Sequence, residues 1–165
     1  YRLSLLIGCG SFFGLRISDL LTLTWSMLLD NEKFVITEQK TGKRREIRVN
    51  CNFQKHIADC YKSLGVVDKN EKCFLSRKRT VYSTQRINVL FKSMKSKYNL
   101  KIEHFSTHSM RKTFGRQVVE AAGENSEFAL IKLSELFNHA DIQTTRRYLG
   151  LRSQELLETY DMLNF

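Results

Sequence analysis

Five residues of this chain carry side chains that together could cut a phosphodiester: Arg16, His108, Arg111, His139 and Tyr148. They stand in the segments Gly14-Leu15-Arg16-Ile17-Ser18-Asp19-Leu20, His108-Ser109-Met110-Arg111 and Asn138-His139, with Tyr148 nine residues beyond that histidine. Guanidinium groups grip non-bridging phosphate oxygens through paired hydrogen bonds and stay charged at any working pH. Imidazoles move protons near neutrality. A phenol can act as a covalent nucleophile. Its ordinary pKa is about 10, so it needs nearby positive charge and a base before it attacks. Of six tyrosines, Tyr148 alone lies nine residues after a histidine. Each piece alone has a bland reading: a polar helix face, a capping histidine, a half-buried packing tyrosine. The ordered set is what points to phosphate chemistry.

That set resembles the tyrosine recombinase (phage integrase) family, and the likeness runs along nearly the whole chain. Residues 14–21 resemble the family's first arginine motif, and Gln39-Lys40-Thr41-Gly42-Lys43 followed by Arg45-Glu46-Ile47-Arg48-Val49 resembles its lysine-bearing hairpin. Cys73-Phe74-Leu75-Ser76-Arg77 resembles the strand and turn ahead of the next helix. His108 to Phe114 resembles the second basic motif, and Leu136-Phe137-Asn138-His139 with Thr144-Thr145-Arg146-Arg147-Tyr148 the closing one. Asn138 stands where a glycine is usual, and Ser109-Met110 where an acidic residue and leucine are common.

The resemblance implies the catalytic domain of a site-specific DNA recombinase, in a mainly α fold with a small antiparallel β-sheet (α+β). It makes Arg16 and Arg111 the phosphate-binding arginines and Tyr148 the nucleophile that forms a 3′-phosphotyrosine. His139 hydrogen-bonds the scissile phosphate, and His108 assists proton removal. A hairpin lysine would protonate the departing 5′ oxygen; Lys40 matches that position better, with Lys43 as the alternative. Asp19, three residues after Arg16, either orients that arginine or the histidine or is a surface carboxylate. The implied partners are double-stranded DNA and further copies of the chain, as a tetramer on synapsed sites, with no cofactor and no metal. A mobile-element integrase is the expected type. Two other readings use the same residues: a type IB topoisomerase-like nicking-resealing enzyme, and a DNA-binding regulator that keeps the fold without the chemistry.

Composition agrees. The 165 residues hold 27 Lys and Arg against 17 Asp and Glu, a formal charge of +10 that favours a polyanionic partner. Lys43, Arg44, Arg45, Arg77, Lys112, Arg146 and Arg147 are the expected DNA-contacting cations. The four cysteines show no paired spacing, so buried, reduced thiols of a cytoplasmic chain are expected. Cys51, His56 and Cys60 do not have the spacing of a metal site. No apolar run reaches the ~20 residues that a membrane span needs, and Leu3 to Phe13 lacks the basic lead-in of a secretory signal. The first residue is tyrosine, so the chain reads as a fragment, one catalytic domain over 1–165 without the amino-terminal DNA-grasping domain of the family.

The elements that must position these residues are legible from period and caps. Residues 2–13 read as a buried helix ended by Gly14, followed by a helix from Ser18, its N-cap, to Thr24. Phe34 to Thr37 and Glu46 to Val49 read as a hairpin around Thr41-Gly42-Lys43. Phe53, Ile57, Tyr61 and Leu64 recur at helical spacing, as do Ile87, Leu90, Phe91, Met94 and Tyr98 behind a Ser83 cap. Met110, Phe114 and Val118 mark a helix that stops at Gly123; Leu130, Leu133 and Phe137, then Ile142 to Leu149, fill short helices. The tail Ser153 to Phe165 carries Leu156, Leu157, Tyr160, Leu163 and Phe165, an apolar set suited to its own domain or to a neighbouring protomer.

Overall fold

The computed structural model describes residues 1–161, with side chains at all of these except 152–155. The chain divides into two compact units, Tyr1–Arg111 and the residues from Lys112 onward.

The first unit starts with α1 (Arg2–Phe13), whose Leu5, Leu6, Cys9 and Phe13 are buried. Gly14 ends it in the left-handed conformation (φ 58°), its N–H bonding the Gly10 carbonyl. Only glycine adopts that conformation without a Cβ penalty, and the sharp exit sets where Arg16 begins the next element. Helix α2 is Ile17–Leu20, shorter than the sequence expectation and capped by extended Arg16, not by Ser18, which lies inside it. The shortening has a physical cause: Leu23 and Thr24 are needed elsewhere. The Leu23 carbonyl accepts from Cys73 N, Thr24 pairs with Lys72, and the Thr24 side chain caps α3 (Trp25–Leu29). The five-residue α3 was not expected; it is too short for a repeat, and burial of Trp25 and Leu28 holds it.

Strands β1 (Lys33–Thr37) and β2 (Arg44–Arg48) form the expected antiparallel pair, with Phe34 opposite Ile47 and Ile36 opposite Arg45. Phe34, Ile36 and Ile47 face the core. Helix α4 (Cys51–Ser63) is capped by Asn50, and α5 (Thr84–Lys97) by Ser83, whose Oγ accepts from Arg86 N as its position predicts. Phe91 stacks on Phe105 at 4.5 Å, and the Asn88 side chain receives Thr107 N at the start of α6 (Thr107–Ala122). Cys9, Cys60 and Cys73 are buried, and burial pushes their thiols up. Cys51 departs from the expectation: it is exposed, because the first position of α4 lies outside the apolar stripe.

Helix α6 continues into the second unit, where Phe114, Val118 and Val119 pack on a core of Leu130, Leu133, Phe137 and Leu149. That core comes from α7 (Ser126–Phe137) and α8 (Ile142–Leu149), after a 3₁₀ turn at Gly123–Asn125. A Cβ at Gly115 would meet Leu149 at 2.5 Å, so α6 and α8 approach closely there. Helix α9 (Leu151–Asp161) follows Gly150 and leaves Leu156, Leu157 and Tyr160 exposed. Leu163 and Phe165 lie outside the described residues. Among the described residues, no helix is long and apolar enough to cross a membrane.

Candidate active site

The Gly14 turn collects guanidinium groups. Arg111, only 5% exposed, donates from Nη1 to the Gly14 carbonyl at 2.6 Å. Arg45 donates from Nη2 to the Phe13 carbonyl at 2.6 Å. Arg16, two residues past the turn, donates from Nη1 to Glu38 Oε2 at 2.7 Å. Arg111 is therefore tied to the turn that Arg16 follows in sequence, although 95 residues separate the two arginines that the resemblance makes phosphate ligands. His108 and Arg111 lie three apart on α6, yet Arg111 is buried and His108 exposed.

Glu38, which the sequence reading did not single out, sits at the centre of this arrangement. It is 4% exposed, bonded to Arg16 and to Thr41 Oγ1 (2.8 Å), and its Oε1 lies 3.8 Å from Arg45 Nη1. Burial alone would raise its carboxyl. The hydrogen bonds from Thr41 and Arg16, with the charges of Arg16 and Arg45, outweigh burial and hold it below the usual carboxylate range. A signal was present: Phe34 and Ile36 alternate along β1, and Glu38, one residue past its end, continues the alternation onto the core-facing side. The same alternation explains Arg45, expected on DNA but turned inward on the face of Ile47 and Val49.

A carboxyl held low in the folded state contributes stability that is complete above its unfolded value of about 4.3 and is lost as pH falls through the folded value. Urea midpoints measured from pH 7 down to pH 3 should therefore fall more steeply for the parent than for Glu38→Gln. Parallel curves would show that Glu38 is not ionised as described.

Asp19 is neither a surface carboxylate nor in contact with a histidine: it is 1% exposed, and its Oδ1 accepts from Gln39 N at 2.9 Å. Lys40, Lys43, Arg44 and Arg77 are exposed, as are Lys112 and Arg147. Arg146 differs from the expectation that it faces DNA. It is half-buried and pairs with Glu127 of α7.

In the second unit, α7 ends at Asn138 in the left-handed conformation (φ 54°). Its N–H bonds Glu135 O, and His139 N bonds Ser134 O, the paired bonds of a Schellman turn. The glycine usual in the family and the asparagine here satisfy the same backbone requirement, since asparagine tolerates this region better than other L-residues. Asn138→Gly should leave stability unchanged or slightly raised, whereas Asn138→Val should cost about 1–2 kcal/mol in chemical denaturation. Equal stability of the two variants would refute the backbone argument.

The turn delivers His139 onto α8. Its Nδ1 lies 2.9 Å from Oγ1 of fully buried Thr145, and its ring centroid is 5.4 Å from that of Tyr148. Phe137 meets Tyr148 edge-on at 5.8 Å, and Lys112 Nζ stands 5.5 Å from the tyrosine ring centroid. The Tyr148 ring is partly buried on the second core, and its hydroxyl oxygen is buried. Helix α8 is fixed at one end by Asp141, whose Oδ1 accepts from Thr144 N, a bond that holds this carboxyl low. At the other end Arg116 Nε donates to Leu149 O at 2.7 Å. Thr145 was also missed by sequence reading; it lies four residues before Leu149, on the buried stripe of α8.

A family profile described as the phage integrase family matches residues 3–155. The chain belongs to the phage integrase family. Among curated members it is 29% identical over 137 residues to the probable integrase/recombinase YoeC of Bacillus subtilis (strain 168), covering 83% of this chain and 71% of that protein. It is 26% identical over 148 residues to the tyrosine recombinase XerC of Xanthomonas campestris pv. campestris (strain B100), covering 90% of this chain and 44% of the relative. Among solved structures, the XerA recombinase superposes with a TM-score of 0.69 at 19% identity, covering 99% of this chain and 64% of that one. The Tn1549 transposon integrase in complex with circular intermediate DNA gives 0.63 at 22% identity, covering 88% and 52%. These likenesses establish the fold: mainly helical with a two-stranded antiparallel sheet, as in the catalytic domains of tyrosine recombinases. The chain spans less than half the length of the XerC relative.

Proposed function

We propose that the chain is the catalytic part of a DNA tyrosine recombinase. The reading is carried by the turn at Gly14 in the first unit, whose carbonyl receives Arg111 and which is followed two residues later by Arg16, bonded to Glu38. The contact of His139 with Tyr148 in the second supports it, as does a family match that spans every residue of the set. In the proposed reaction the Tyr148 oxygen bonds to phosphorus while the bond from phosphorus to the 5′ oxygen breaks. His108 takes the phenolic proton, and Lys40 gives a proton to the departing oxygen. Arg16 and Arg111 are fixed charges for the more negative five-coordinate transition state, and His139, oriented by Thr145, bonds a phosphate oxygen. The products are a 3′-phosphotyrosine and a 5′-hydroxyl. Because the ester conserves the bond free energy, attack by a second 5′-hydroxyl rejoins the strands without ATP.

We read the natural role as integration of a mobile element, acting as a tetramer on two synapsed sites. The exposed Leu156, Leu157 and Tyr160 of α9 are available for exchange with a neighbour. The test is covalent capture: incubation with a pool of duplexes of randomised sequence, nicked so that the cleaved strand end diffuses away, then denaturing isolation and peptide mapping. An adduct on the Tyr148 peptide, linked to a DNA 3′ end, is expected. No adduct, or one on another residue, would overturn the assignment. Joining of two captured duplexes into a recombinant product separates recombination from the relaxation of a single duplex.

A further inference from the structure

We infer that Glu38 is a positioning residue that sets Lys40 against Arg16, coupling delivery of the leaving-group proton to the grip on phosphate. The inference rests on the reaction proposed above, in which Lys40 supplies that proton. Glu38 does more than neutralise an arginine.

Its contacts hold the three residues directly after Lys40. The carboxylate takes the Thr41 hydroxyl at 2.8 Å, its backbone carbonyl takes Gly42 N at 2.8 Å, and its N–H donates to Lys43 O at 2.9 Å. The residue between, Gln39, is held through its N–H by Asp19 Oδ1 at 2.9 Å. Lys40, an exposed side chain on a six-residue loop, thus stands between Gln39, held by the Asp19 carboxylate, and Thr41, held by the Glu38 carboxylate.

The same Oε2 atom accepts from Arg16 Nη1 at 2.7 Å, whereas the approach to Arg45 is 3.8 Å. The shorter contact is a charge-assisted hydrogen bond and the longer one an ion pair without it, so Arg16 is the dominant partner. A loop that moves must therefore drag Arg16 with it. Glu38 touches neither substrate nor leaving group in this scheme; it acts through two residues that do.

The inference is tested with the intact chain on a duplex recovered by the covalent capture described above, carrying either oxygen or sulfur at the scissile 5′ position. A thiolate leaves without a proton, because a thiol has a pKa of about 8.5. Loss of acid catalysis is thus repaired by sulfur, whereas loss of folding or of phosphate binding is not. Glu38→Ala should slow single-turnover cleavage of the oxygen ester at saturating DNA by about 10²-fold, the scale of a misplacement of an ångström. On the sulfur ester most of that loss should be repaired, leaving the smaller part that comes from the released Arg16. Glu38→Gln and Thr41→Val, which disturb the fold less, should show smaller losses with the same repair. If Glu38→Ala does not fold, these two decide.

Equal slowing on both esters, or no slowing in folded variants, overturns the inference. Lys40→Ala separates the layers. If sulfur does not repair Lys40→Ala, the acid assignment fails and the inference falls with it. If sulfur repairs Lys40→Ala but none of the Glu38 and Thr41 variants, the inference alone is wrong.

Discussion

Tyr148→Phe should abolish the covalent protein–DNA adduct while leaving the fold of the second unit intact. The change removes one oxygen. The edge-on contacts of the ring with Phe137 and His139 need no hydroxyl, nor does the approach of Lys112 to the ring face. Losing the hydroxyl costs at most about one hydrogen bond, about 1 kcal/mol, so the melting temperature should stay within a few degrees of the parent. The chemical consequence is total, because phenylalanine offers no atom to bond phosphorus. DNA affinity should persist, since the arginines and exposed lysines are untouched. Intact folding, retained binding and absent adduct form the expected signature. An adduct that survives the substitution places the nucleophile elsewhere.

The buried hydroxyl sharpens this expectation. In the proposed reaction the Tyr148 oxygen must reach phosphorus, yet in the structure it is shielded from solvent. The side chain or its helix must therefore move for attack. Helix α8 is bounded by two left-handed residues, Asn138 before its capping turn and Gly150 after it. Such junctions are where a short helix can reorient, at the expense of its Arg146–Glu127 pair and its share of the common core with α7.

How far the sequence revealed all this depends on the kind of signal. Helices with a long apolar stripe and a capping side chain were legible to within a residue or two: α1 ends at Gly14, α5 starts at Ser83, and α6 stops before Gly123. Helices α2 and α3 were not, because four or five residues hold less than two turns of period. Their limits are set by long-range pairing of Leu23 and Thr24 with Lys72 and Cys73. Residue types in the candidate site were legible, but which way each faces was not. Arg45 reads as a DNA-contacting cation, and Glu38 passes unnoticed, until strand alternation is followed through the hairpin. Arg146 reads as a free cation until Glu127, nineteen residues earlier, is placed beside it. Charge on a short element says what can be bound; only packing says which charges remain free to bind it.

Arg111 carries the second large expected effect, because it is both a structural and a proposed catalytic group. Its buried guanidinium satisfies the Gly14 carbonyl, which at a helix C-terminus has no intrahelical donor. Arg111→Ala removes a charged hydrogen bond and strands that acceptor, at an expected cost of about 2–3 kcal/mol in urea unfolding. In cleavage it removes a preorganised donor aimed at developing negative charge, worth about 10²–10³-fold. Arg111→Lys separates the two contributions. One ammonium can reach either the carbonyl or the phosphate, but it lacks the planar fork that serves both at once. The lysine variant should therefore recover most of the lost stability and little of the lost cleavage rate. Recovery of both in parallel would mean that Arg111 only builds the turn, and that Arg16 alone holds the phosphate.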